Sequence, residues 1–534
     1  MTARPGFRKC FVAVALGAVV IVALAACSGG GSSQQSASKS ITVSVPSLPT
    51  VLSDSQGVTS LFARVGYLGT LVDSAPQPES DTTLDATKLT PDLAKSYKLT
   101  PEGMVFTLRA AKASNGHVLS PEDVKYTYDR YVAMKDGLAL FLMKYAGVDT
   151  KDPVTVIDDH TVRLNGEIKP LGQLAWQFFY FTILDSEVMK AHTTSSDPWA
   201  KKYLDTHSAG FGSYDVSYFK PSSQVTLKAN PNYWNGVPAY TEVTVLARTE
   251  GASVSQLLTS GSVQWASWAP AEDYNSLKNN GKFHNHISPQ ITQDVLELNQ
   301  SFAPFKDAKV RQAMSLAVDR AAVLAGPYSG VGQASRTVGS QAIPALADVK
   351  GDYYTHDLAK AKQLMASSSH PNGFSFSMAY NPGSGSSVDY KTVAVTLQSF
   401  FKELGITLTP QPVTDPAQFK AGQSNGAYQS YFWGEGPIIS DATYMMSLYH
   451  VKAGLSAYTG ESDPQVNDLV AKAAATPLGA QRDALVKQSV ELWNTKMYDI
   501  PVIDSAEPYI ASTGVCGFGT YPYQTVLYRD LKPC

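Results

Sequence analysis

The stretch Pro304-Phe305-Lys306-Asp307-Ala308-Lys309-Val310-Arg311-Gln312-Ala313, continued as MSLAVDRAAVLA over 314–325, carries the strongest pattern in the chain. Val310, Ala313, Met314, Ala317, Val318, Ala321 and Leu324 recur at helical spacing, which predicts one amphipathic helix over 309–325. Outward from it, short alternating strands and further helices are interleaved. Ile41-Thr42-Val43-Ser44-Val45 and the MVFTLR run at 104–109 alternate with period two and read as strands. Ser120-Pro121-Glu122-Asp123 starts a helix, with a capping Ser, Pro at the first helical position and acids in the first turn. Strands are expected at 225–228 and 241–247, separated by the turn cluster Asn230-Pro231-Asn232. Helices follow at 357–365, at 393–404 with Gly405 ending it before the strand 406–408, and from Asp463-Pro464 to residue 474. Interleaving of this kind is an α/β or α+β pattern.

The N-terminus has its own logic. Arg4, Arg8 and Lys9 precede an apolar run over 11–26, the layout of a secretory signal. At about 1.5 Å per residue that run reaches only ~24 Å, short of a ~30 Å hydrocarbon core. Leu24-Ala25-Ala26-Cys27 resembles the lipobox of bacterial lipoproteins, in which the Cys is lipidated and becomes the first mature residue. The expectation is a signal peptide over 1–26, lipidation at Cys27 and a flexible Gly/Ser/Gln tether over 27–40. Removing 1–26 takes away three basic and no acidic residues, leaving 40 Lys+Arg against 46 Asp+Glu. A mildly acidic chain with no basic stripe gives no reason to expect a nucleic-acid partner. About 500 residues exceed one simple core, so two or three lobes are expected. Of four cysteines, Cys10 lies in the leader and Cys27 in the lipobox. Cys516 and Cys534 are then a candidate disulfide in an exported chain, with two free thiols as the alternative.

Four blocks in order give a resemblance. The first is Pro91-Asp92-Leu93-Ala94-Lys95-Ser96-Tyr97, then Pro101-Glu102-Gly103 with its strand, then Leu119-Ser120-Pro121-Glu122-Asp123-Val124. The second is Gly212-Ser213-Tyr214 leading to VTLKANPNYW at 225–234, followed by the third, LLTSGSVQ at 257–264. The fourth is Leu298-Asn299 with PFKDAKVRQA and Val318-Asp319-Arg320. Together they resemble the family 5 extracytoplasmic solute-binding proteins of ABC importers, the group of dipeptide-, oligopeptide- and nickel-binding proteins. One departure is Lys112-Ala113-Ser114-Asn115-Gly116, where members usually carry KFHDG.

The resemblance implies an α/β, bilobal periplasmic-binding-protein-like fold (class II, Venus flytrap) with an additional domain. Lobe I would comprise 41–75, 205–288 and 505–534, the additional domain 76–204 and lobe III 289–504. It implies a non-enzymatic, lipid-anchored component on the extracytoplasmic face of the cell membrane, monomeric, without cofactor. Its partners would be a peptide or peptide-like solute held between lobes and an ABC permease that reads their closure. Asp307 and Arg311 would then form an i, i+4 surface or lobe-stabilising pair rather than touch ligand.

Such pockets are lined by aromatic and apolar groups with a few aimed polar ones. Trp265 and Trp268 are candidates, with core packing as the alternative. In Tyr431-Phe432-Trp433-Gly434-Glu435-Gly436-Pro437, Trp433 matches a Trp of peptide-binding relatives that is followed by an Asp pairing with the ligand's α-ammonium. Gly436 stands at that Asp here, so Glu435 or Asp441 is the expected carboxylate. Tyr380 and Asn381 lie where relatives contact ligand. Dipeptide-binding relatives place an Arg nearby, and Gly383-Ser384-Gly385-Ser386-Ser387 offers none, which argues against a simple dipeptide. His284-Asn285-His286 lacks further clustered ligands, so no metal is expected. A signalling lipoprotein of the same fold is the alternative role. A Ser-x-x-Lys hydrolase is disfavoured because Ser-Asp-Asn, Lys-Thr-Gly and Gly-x-Ser-x-Gly are all missing.

Overall fold

Two strands longer than any others described, Phe283–Leu298 and Asp499–Ser512, run antiparallel through the middle of an 11-stranded sheet. The computed structural model describes residues 40–53, 63–64, 66–67, 69–177, 181–249, 253–382, 388–452, 463–522 and 526–534. The leader, Cys10, Cys27, the tether as far as residue 39 and the 383–387 run lie outside them, while Ser40, expected in the tether, opens the first strand.

The two long strands cross from one half of the sheet to the other. Past Gln293, the first pairs with Ser430–Glu435, which lies parallel to Ser375–Tyr380 and through it to Thr407–Pro412. Before Pro289, it pairs with the far end of the second, which continues to Trp265–Ala266, Ser40–Val45, Glu242–Ala247, Gln224–Ala229 and Tyr214–Lys220. The ladder is interrupted between Pro289 and Gln293 and again between Asp294 and Val295. Proline donates no ladder hydrogen bond and irregular pairing lets a strand bend, so the seam between the halves falls here. Ser40–Val45, the first described strand, and the far end of Asp499–Ser512 both lie in this second set of strands.

Alternation explains the edges of the core. Ile41, Val43 and Val45 are buried with Val243, Val245, Val225 and Leu227 on one face. A separate four-stranded sheet, Ala94–Thr100, Gly103–Leu108, Thr161–Asn165 and Val154–Asp158, packs into the same apolar cluster. Gly103, at φ +147°, is required there: a Cβ would lie 1.9 Å from the Leu164 carbonyl oxygen. The helix Pro121–Ala133 has the expected Ser120 cap, with Asp123 closing the capping box on the Ser120 N–H. The second half has its own core around Leu296, Leu298, Phe305, Val310, Met314, Phe376, Val393, Phe432 and Ile500.

The single helix expected over 309–325 is two. Ala308–Ala317 ends where Val318 turns extended (ψ 111°), and Arg320–Ala325 restarts with Asp319 as its cap. Asp319 accepts the Ala322 N–H, an alternative to continuing the helix that short acidic side chains favour. Arg320 turns inward, donating to the carbonyls of Pro501, Ser315 and Tyr354. The break rephases the apolar face, so Val323 is buried and Ala321 is exposed. Asp307 and Arg311 also differ from a surface pair: Asp307 accepts the Lys309 and Ser369 N–H groups, while Arg311 is buried among carbonyls. At the C-terminus Val515–Cys516 pairs with Lys532–Pro533, and a disulfide joins Cys516 to Cys534 with Cα atoms 5.1 Å apart.

Candidate ligand-binding site

The strand Ser430–Glu435 alternates Phe432, at the core, with Tyr431 and Trp433 on the other face. Trp433 stands edge-on to Tyr449 and Tyr431 and donates from Nε1 to Glu297 Oε1 at 3.2 Å. Glu435, 2 % exposed, pairs in register with Gln293, and its Oε2 lies 3.2 Å from Nε2 of His450. His450, at the end of the helix Ala442–Tyr449, places Nδ1 3.5 Å from Asp499 Oδ2. Trp493 Nε1 donates to the other Asp499 oxygen at 3.0 Å. Three carboxylates thus surround one imidazole with almost no water.

Burial, reinforced by Glu297 and opposed by His450, pushes Asp499 up to about 7. Burial likewise holds the His450 imidazole below its usual 6.5, against the pull of Asp499 and Glu297. Between the ordinary carboxyl value and about 7 the folded chain therefore holds a proton on Asp499 that the unfolded chain has released. Stability from this residue is greatest in acid and falls as pH rises through that window. Asp499→Asn keeps the Trp493 hydrogen bond and removes the ionisation. Its melting temperature relative to the parent is expected to climb between pH 5 and pH 8, by up to about 3 kcal/mol in free energy. A pH-independent difference between the two melting curves contradicts this.

Asp441 caps Ala442–Tyr449 by accepting the Tyr444 N–H and forms a buried two-point pair with Arg482, Nη1 to Oδ2 at 2.6 Å and Nη2 to Oδ1 at 2.5 Å. Tyr380 is buried in the second core, and Asn381 Nδ2 donates to the Val413 carbonyl at 2.8 Å, fixing the loop after its strand. Trp265 is 1 % exposed and packs on Tyr509, Phe518 and Tyr528. Trp268, half-buried at φ +52°, ends that segment; its carbonyl and that of Ser267 accept the two Nη groups of Arg248. The structure therefore brings Trp433 and Glu435 together, puts Trp265 and Trp268 near the crossing strands, and gives Tyr380, Asn381 and Asp441 packing or capping work.

At the seam, directly paired residues of the two crossing strands share a face. His286 opposes Tyr509 and Ser288 opposes Glu507, and on the neighbouring strand Trp265 opposes Ala511. Tyr509 lies flat over His286 and near Trp265, with ring centroids 6.5 and 6.0 Å away. Contacts close over this region from both halves: Ser440 Oγ donates to the Leu84 carbonyl, Leu84 N–H to that of Ala342, and Tyr145 meets Tyr444 edge-on at 5.2 Å. Ser267 Oγ, Trp265 Nε1, Thr443 Oγ1 and both amide atoms of Gln290 are buried without a protein hydrogen-bond partner. Buried polar atoms are normally satisfied, and Gln290 is the one of these that lies on the interrupted stretch of ladder between Pro289 and Gln293.

The model of bacterial extracellular solute-binding proteins, family 5, matches residues 88–456. The chain belongs to this family. Among its relatives, a probable D,D-dipeptide-binding periplasmic protein of Escherichia coli K12 is 25 % identical over 430 residues, 78 % of this chain and 79 % of that one. A glutathione-binding protein of Shigella flexneri is 24 % identical over 459 residues, 83 % and 86 % of the two chains. A periplasmic binding protein of Helicobacter pylori in complex with the peptide STSA has the same fold, with TM-score 0.75 at 17 % identity over 92 % of this chain and 98 % of that one. Family 5 proteins bind and carry rather than transform their solutes, and the bilobal binding-protein fold accounts for the two-part sheet. No helix among the described residues is long and apolar enough to cross a membrane.

For this solute-binding protein the sequence reading singled out the aromatic strand and not Glu507, Tyr509 or Gln290, which the fold sets at or next to the interrupted ladder. A signal existed: Ala506-Glu507-Pro508 sets a charge inside a strand that is otherwise mostly buried and apolar. His284 and His286, the pair weighed as metal ligands, stand on the first crossing strand. The His284 Nε2 lies 3.0 Å from Glu79, and its ring stacks on Phe518. Elsewhere His117, Asp123 and Asp185 cluster, but the two carboxylates accept N–H groups of Ser120, Ser186, Glu187 and Val188 and serve as caps.

Proposed function

We propose that this family 5 protein is the lipid-anchored capture component of an ABC importer, enclosing a peptide or peptide-like solute at the crossing-strand seam and handing it to the membrane permease. The observation that carries this reading is Gln290, whose two side-chain amide atoms are buried without a protein hydrogen-bond partner inside the interrupted stretch of ladder between Pro289 and Gln293. Amide-rich ligands offer the donors and acceptors those atoms lack. Relatives described as binding a D,D-dipeptide, glutathione or the peptide STSA support the solute class. The lipobox-like Leu24-Ala25-Ala26-Cys27 and the tether behind it support anchoring, since a lipid leash keeps a monomeric binder near its permease while the halves open and close.

A binder gains stability by RT ln(1 + [L]/Kd), about 4 kcal/mol at a thousandfold excess over Kd. A mixed tri- to pentapeptide pool should therefore raise the melting temperature by several degrees and be recovered chemically unchanged. Cleavage of a stabilising peptide, or no shift with any peptide pool, contradicts the reading. Cys27→Ala should move the protein from the membrane fraction to the soluble one while the folded domain keeps its peptide affinity. An unchanged membrane association would remove lipidation from the account.

A further inference from the structure

We infer that Glu507 is the residue that receives the cationic group of the bound solute, an inference that rests on the peptide reading above. Glu507 sits on the second crossing strand at the seam, opposite Ser288 and 6 % exposed. Its surroundings are unusual for an acid so deeply placed. Its one protein hydrogen bond comes from the Tyr509 hydroxyl at 3.3 Å, and among the described residues no Lys, Arg or His nitrogen lies within ion-pair distance. A carboxylate has about four acceptor positions, so most of its capacity is open.

Its neighbours show what a fully served buried acid looks like here. Asp294 accepts the hydroxyls of Tyr328 and Tyr390 at 2.6 and 2.7 Å. Asp504 accepts from Gln293, Ser335 and twice from Gln341. Asp441 has the Arg482 guanidinium. Glu507, by contrast, has a single long hydrogen bond and, among the described residues, no cation beside it.

An ionised carboxylate held out of water without a cation costs several kcal/mol. Consistent with that, burial pushes the Glu507 carboxyl well above the ordinary range. A solute ammonium entering between the halves would restore the ion pair under conditions of low water, where a charge-assisted hydrogen bond is strongest. Tyr509 positions the acid: its hydroxyl is bonded by Ser288 and Trp268 while it donates to Glu507. Ser267 Oγ, two residues beyond Trp265 on the adjacent strand, remains for a neutral group of the same solute. The carboxylates expected from the sequence, Glu435 and Asp441, are thereby replaced as the solute's cation partner.

The test uses the full folded domain and tetrapeptides of randomised neutral composition, offered as equal mixtures of free and N-acetylated forms, with N-acetylated peptides carrying one lysine as a third arm. Retained peptides are counted by mass spectrometry. The parent is expected to retain ammonium-bearing peptides at least tenfold over neutral ones, and Glu507→Gln, which keeps the Tyr509 hydrogen bond, to lose that preference. Retention of the free N-terminal form assigns the cation to the α-ammonium, and retention of the lysine arm to a side chain. A parent that holds neutral and charged forms equally overturns the inference without needing the variant. A Glu507→Gln protein with the parental preference, or loss of preference only in Glu435→Gln, overturns it while the peptide reading stands. A parent that retains no peptide at all overturns the peptide reading and this inference with it.

Discussion

Replacing Arg311 with Met should lower the stability of the folded domain by about 3–5 kcal/mol, read as a drop in the denaturant midpoint, while the folded fraction keeps its solute affinity. Arg311 is almost wholly buried. Its guanidinium donates to the carbonyls of Phe305 at 2.6 Å, Lys496 at 2.8 Å and Met497 at 2.9 Å, and to Gln300 Oε1 at 3.1 Å. It also lies 5.0 Å over the Tyr498 ring. A Met of similar length fills the space but leaves three carbonyls without their donor in a dry place, each costing about 1 kcal/mol or more. Through Arg311 the PFKDAKVRQA segment therefore clamps the Ala308–Ala317 helix to the entry of the second crossing strand. A normal midpoint for Arg311→Met contradicts this.

Arg482→Met should be comparably damaging, for a different reason. It leaves Asp441 buried with its counter-charge removed, and breaking a buried pair from one side costs about 3–5 kcal/mol. Asp441 still caps its helix through Tyr444, so a neutral replacement there retains the cap. The double variant Asp441→Asn, Arg482→Met is expected to recover most of the loss, because a buried pair replaced on both sides is often close to neutral. Strictly additive single and double effects in a denaturation cycle contradict a paired role. The same cycle separates Asp441 from ligand contact, since neither variant should change affinity once folded protein is compared with folded protein.

Local chemistry was readable wherever the deciding neighbours are close in sequence. Ser120-Pro121, Asp357 and Asp463-Pro464 announce helix starts that the structure has at Pro121–Ala133, Leu358–Ala366 and Pro464–Ala475. Strands alternating valine and threonine fell where expected. The break at Val318-Asp319 was not readable, because the apolar period runs on through it and only the buried carbonyls of Pro501 and Tyr354, far along the chain, pull Arg320 inward. The binding region was half legible for the same reason. Aromatic strands such as 431–433 are visible in sequence, yet the burial of Trp265, the Asp441–Arg482 pair across 41 residues and the missing counter-charge at Glu507 are set by strands that meet only in the fold.

The central claim is that the chain holds a peptide-like solute between the halves of its sheet and returns it intact. Native mass spectrometry of the protein purified without denaturation, then exposed to a defined tri- to pentapeptide pool, tests this most directly. The account predicts a one-to-one adduct of peptide mass, released on unfolding with its covalent structure unchanged. A protein that carries no peptide adduct at any pool concentration, or that releases the peptide cleaved, contradicts it.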